Sequence, residues 1–153
     1  MNSDRLSDVL SLRNTNFIIT PAVYDEVSKV PEQLIKLDKY IATGQILHYQ
    51  GDLNVEVLDQ LFETYDLGDG ETEAVLLSQE RGYQICCDDK RARGMAEYEV
   101  GESRVMGSLR LLKFVVAEEI IECTDAYSAY RIMIQKGGFL PNAIKNHFFC
   151  KPS

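Results

Sequence analysis

The stretch Tyr83-Gln84-Ile85-Cys86-Cys87-Asp88-Asp89-Lys90-Arg91-Ala92-Arg93 decides the fold. Tyr83 to Cys87 is apolar enough for a buried parallel strand, and residues from about Lys90 to Tyr98 suit a helix. A strand that passes straight into a helix through two aspartates is the carboxyl edge of a parallel α/β sheet, where such proteins gather ligands. One Asp is enough to cap a helix, so a pair leaves one carboxylate over.

Upstream, Leu67-Gly68-Asp69-Gly70 reads as a turn and Glu71 to Arg81 as a helix with Ala74, Val75, Leu77 and Ser78 on its inner face and Gly82 as its stop. Asp52 or Asn54 caps a helix carrying Val57, Leu58, Leu61 and Phe62, behind a strand through Ile46, Leu47 and Tyr49. Pro31 opens a helix with Leu34, Ile35, Leu37 and Ile41, closed by Gly44. Phe17 to Thr20 is a short strand, and Pro21 begins the helix through Val23 and Val27 that carries Glu26. Residues 4–13 have helical spacing, with Asp4 as its N-cap.

Downstream, a strand near Arg104 to Met106 leads through Gly107 and Ser108 to a helix with Leu109, Leu111, Leu112, Val115 and Val116. Tyr127, Tyr130, Ile132, Met133 and Ile134 form another helix, ended by Gly137 and Gly138. From Pro141 the tail forms a short helix whose Phe148 and Phe149 either pack internally or join a homodimer contact. Strands alternating with helices imply right-handed crossovers and a parallel sheet flanked by helices, in one domain over 1–153.

Composition agrees: with 45% hydrophobic and 26% charged residues the chain can bury a core of its own. No apolar run reaches the ~18 residues of a membrane span, so a cytoplasmic location with no membrane partner is expected. Cys86, Cys87, Cys123 and Cys150 form no C-x-x-C pair, which argues against a thiolate zinc site and for reduced, buried thiols. The net charge of −8 disfavours nucleic acid, yet residues 81–113 hold seven basic against five acidic side chains, and 131–153 hold four basic and none acidic. A local basic rim can therefore coexist with an acidic pocket.

Glu26, Glu71 and Asp88 with Asp89 all fall at strand ends or near the starts of the helices that follow. Each alone is explained by capping or the helix dipole. Together they form an oxygen-rich set suited to hard divalent cations.

The order of Ile19-Thr20-Pro21-Ala22-Val23-Tyr24-Asp25-Glu26-Val27, Leu67-Gly68-Asp69-Gly70-Glu71-Thr72-Glu73-Ala74-Val75-Leu76-Leu77, Ile85 to Arg93, Gly107-Ser108-Leu109-Arg110-Leu111-Leu112 and Gly138-Phe139 resembles the PIN-domain family, in particular its small prokaryotic, toxin-like nucleases. That resemblance implies a three-layer fold and a divalent-metal-dependent endoribonuclease, the toxin of a toxin–antitoxin pair. It further implies Mg²⁺ or Mn²⁺ as cofactor, RNA as substrate and an antitoxin-like protein as partner. By position Glu26, Glu71 and Asp88 are the metal ligands, Asp89 is an auxiliary catalytic carboxylate, and Lys90, Arg91 and Arg93 hold the RNA backbone. The family's first motif, a central strand ending in Asp, has no counterpart here, since only Met1-Asn2-Ser3 precede Asp4. The alternative is a degenerate, inactive PIN fold that binds protein or nucleic acid.

Overall fold

The computed structural model describes residues 5–138, 140–143 and 145–148. Two compact units emerge, one of residues 16–105 and one gathering the described residues of 1–15 and 106–153.

In the first unit, β1 (Phe17–Ile19) pairs in parallel with β2 (Ile46–His48), in the register Phe17 to Ile46, Ile18 to Leu47 and Ile19 to His48. Between them run α1 (Pro21–Ser28) and α2 (Pro31–Ala42). Thr20, read from sequence as the last strand residue, is instead the buried N-cap of α1, its hydroxyl accepting from the Val23 N–H at 3.4 Å. Asn54 rather than Asp52 caps α3 (Val55–Tyr65). That helix ends on Asp66, a non-glycine in the left-handed region at φ 48°.

Helix α4 (Asp69–Arg81) is the axis of this unit: Gly70, Thr72, Val75, Leu76, Leu77 and Ser78 are all buried. Its burial extends around more than one face, because Val75 and Leu76 meet Leu61 of α3 and, from α5 (Lys90–Val100), Met95 and Ala96. Gly82 stops it at φ 74°, a conformation that glycine adopts without penalty. Strand β3 is only Ile85–Cys86, shorter than the sequence suggests, since Tyr83 and Gln84 are exposed. It pairs with β4 (Val105–Met106), of which Val105 joins this unit's core.

The single central sheet expected from sequence is thus not what is found: the described strands form two separate pairs, β1 with β2 and β3 with β4. Strands of two or three residues offer few ladder positions. Among the described residues no strand precedes the short helical turn Leu6–Val9.

The second unit packs α6 (Ser108–Ala117) on α7 (Cys123–Gln135), the latter starting four residues before Tyr127. Leu112, Ala126, Ala129, Tyr130, Met133 and Phe148 form its core, with Phe148 edge-on to Tyr127. Phe148 therefore packs internally; Phe149, Phe139, Asp4 and Cys150 lie outside the described residues. Cys86 and Cys87 are free thiols, but Cys123 is disulfide-bonded, which corrects the expectation that it is reduced. No described helix is long and apolar enough to cross a membrane.

Candidate metal centre

Glu26, Glu71, Asp88 and Asp89 line one cavity of about 250 Å³, wholly within the 16–105 unit. Its floor is Val75, Ile85, Ala92 and Ala96, and its wall includes Gly70, Cys86 and Cys87. Each carboxylate arrives from a different local cause. Glu26 sits one turn past Ala22 on the same face of α1. Glu71 is the third residue of α4 and folds back over the N-cap residue, as a first-turn glutamate does. A Cβ built on Gly68 would lie 2.5 Å from Glu71 Oε2 and 3.9 Å from Glu26 Oε1, so the two carboxylates flank one glycine.

Asp88 and Asp89 divide the work. Asp89 caps α5, its Oδ1 accepting from Arg91 N at 2.9 Å and Ala92 N at 2.8 Å. Asp88 is half-buried on the cavity wall, and its charge reaches the Cys86 thiol.

Both thiols border the cavity. Strand alternation would send them to opposite faces, but β3 ends at Cys86, so Cys87 is not bound by it. Cys86 keeps some open surface while protein surrounds its sulfur; desolvation, then the Asp88 charge, pushes its pKa up to about 12. Burial also raises Cys87, against a backbone hydrogen bond with Asp89 that lowers it, with the charges of Glu71, Asp89 and Asp88 adding to the rise. The thiols are thus held protonated and inert at neutral pH.

The donor chemistry fits a hard divalent cation. Among the described residues no three His, Cys, Asp or Glu side chains already close around one point. Mg²⁺ does not require that, because it keeps several waters and uses one or two carboxylates. Glu26 and Glu71, flanking Gly68, would supply such a pair.

The basic residues on α5 are partly engaged. Arg91 Nη2 donates to Tyr65 O at 2.9 Å and pairs with Asp66 at 3.6 Å; Arg93 Nε pairs with Glu97 at 3.3 Å. Lys90 is exposed at the start of the helix. Such exposed pairs are weak and exchange readily.

Sequence reasoning passed over Glu73 and Gly70. Glu73 Oε2 accepts the Ala22 N–H at 2.9 Å, a link across 51 residues that no local pattern signals. Gly70 was read as part of a turn, yet it is the buried point where α4 meets Val23 of α1. A second cavity, of about 310 Å³, adjoins the first through Glu26 and is bordered by Asp25, Lys29, Phe62, Asp69 and Glu73.

A family model described as a PIN domain matches residues 2–151. No curated protein and no solved structure matches the chain.

Proposed function

Since the chain belongs to the PIN-domain family, we propose that it is a single PIN domain acting in the cytoplasm as a divalent-metal-dependent endoribonuclease, the toxin of a toxin–antitoxin pair. The observation that supports this reading is the meeting of Glu26, Glu71, Asp88 and Asp89 on one cavity. Mg²⁺ or Mn²⁺ bound there supplies an activated water and a Lewis acid for a phosphodiester. Glu26 and Glu71 hold the cation from two helices, and Asp88 faces the same space from the end of β3. Asp89 keeps the loop in place by capping α5 with Oδ1, which leaves its second oxygen for an auxiliary role. Lys90, Arg91 and Arg93 hold the RNA backbone, the two arginines exchanging Asp66 and Glu97 for phosphate.

A second reading, an inactive PIN fold that binds a protein or nucleic acid, is favoured by the unclosed ligand set and by the separation of the strands into two pairs. Mn²⁺ calorimetry with an RNA cleavage assay on the wild type, Glu71→Gln and Asp88→Asn separates the two. The nuclease reading expects metal-dependent cleavage lost in both variants. A wild type that neither binds Mn²⁺ nor cleaves refutes it.

A further inference from the structure

We infer that Glu73 is a positioning residue that sets the distance between Glu26 and Glu71, an inference that rests on the metal-site reading above. The first turn of α1 needs partners for its free N–H groups. Pro21 has none to satisfy, Val23 N–H goes to the Thr20 hydroxyl, and Tyr24 N–H goes to Thr20 O. The Ala22 N–H alone is satisfied from outside, by Glu73 Oε2 at 2.9 Å. A carboxylate on a helix N-terminus is a charge-assisted bond reinforced by the helix dipole.

Its placement gives the bond a consequence for the site. Ala22 and Glu26 are four residues apart, hence stacked on one face of α1. Glu73 and Glu71 are two apart on α4, so they leave that helix on different sides, Glu71 to the first cavity and Glu73 to the second. The bond therefore ties the helix that carries Glu26 to the helix that carries Glu71, one turn from the former and two residues from the latter. At the same crossing Gly70 approaches Val23 closely, an apolar contact that packs the two helices together. The hydrogen bond adds direction to that packing, fixing which residue of α1 lies against Glu73. Glu73 touches no reacting atom in this scheme; it acts through Ala22.

The test uses the full chain as wild type, Glu73→Gln and Glu73→Ala. Gln keeps an acceptor oxygen and Ala does not. Loss of an outer partner of a metal site typically weakens binding about 10–100-fold, so Glu73→Ala is expected to bind Mn²⁺ about tenfold more weakly by calorimetry, with Glu73→Gln staying close to the wild type. Exchange of the Ala22 amide proton, followed by NMR, should accelerate in Glu73→Ala only. Unchanged Mn²⁺ affinity in Glu73→Ala overturns the inference, as does equal weakening in both variants with Ala22 still protected. If the wild type binds no Mn²⁺, the metal-site reading itself fails. The Ala22 exchange rates then judge the tie alone, and continued protection in Glu73→Ala overturns it.

Discussion

Gly70→Ala is the sharpest probe of the crossing that brings Glu26 to Glu71. A Cβ at residue 70 would stand 2.9 Å from Val23 Cγ2, and 3.7 Å from both Val23 N and Glu26 Oε2. Carbon pairs rest at about 3.5–4.0 Å, so the new methyl group overlaps Val23 by about 0.6–1 Å. Val23 is β-branched and held to one rotamer in a helix, so it cannot rotate out of the way. The strain passes to the backbone of α1, where overpacking costs about 1–3 kcal/mol. Against that, alanine is about 1 kcal/mol better than glycine inside a helix, and less so in the first turn where residue 70 lies. A net loss of about 1 kcal/mol remains, which lowers the melting temperature by about 2–4 °C in a chain of this size. Urea unfolding measures it as a lower midpoint at unchanged slope, and Mn²⁺ calorimetry should show weaker binding in the same variant. A Gly70→Ala protein as stable as the wild type, with the same Mn²⁺ affinity, would refute the claim that this contact sets the site.

Three other changes separate stability from site. Gly68→Ala places its Cβ 2.5 Å from Glu71 Oε2, a movable carboxylate, in a backbone (φ −69°, ψ 157°) that alanine accepts. The gain of about 0.4–1 kcal/mol from a less flexible unfolded chain is offset by alanine's poorer fit at an N-cap, so stability should stay within about 1 kcal/mol of the wild type while Mn²⁺ binding weakens, as read by urea midpoint and calorimetry. Asp89→Ala removes the cap of α5 and should cost about 1 kcal/mol, whereas Asp89→Asn keeps the accepting oxygen and should melt like the wild type. The raised thiols predict a pH dependence: below about pH 9 both folded and unfolded chains keep the Cys86 proton, and between 9 and about 12 only the folded chain does. Stability therefore falls as pH rises through that window, and the urea midpoint should drop more between pH 8 and 10.5 in the wild type than in Cys86→Ala.

Much of this was readable from residues whose causes are local. Pro21 and Pro31 open their helices, Gly82 stops α4, and Asn54 and Asp89 cap because their side chains reach amides two or three residues on. The strand expected over 83–87 shrinks to Ile85–Cys86, since apolar character alone does not reveal that Tyr83 and Gln84 stay exposed. Thr20 looked like strand because threonine favours both strands and caps, and only the backbone direction at Pro21 decides between them. Glu73 and Gly70 were invisible for another reason: their partners, Ala22 and Val23, lie about fifty positions away. A glycine two residues from another reads as a turn in any sequence, and a glutamate in a polar helix reads as solvated.

Four carboxylates on one cavity repel one another, and the elements that carry them offset part of that repulsion. Glu71 lies in the first turn of α4 and Asp89 caps α5, so two N-terminal dipoles face the acidic cluster, each worth about 0.3–1 kcal/mol to a nearby anion. Asp89 further satisfies two amides, and Glu73 takes its charge away to α1. The repulsion left is concentrated on Glu26, Glu71 and Asp88, which line the cavity beside the apolar Val75, Ile85, Ala92 and Ala96. An unliganded chain can therefore fold while keeping a negative focus that a cation would relieve. Whether it does so is a matter of linkage: a cation at a hundred times its dissociation constant adds about 2.7 kcal/mol to folding, several times what any single helix cap contributes here.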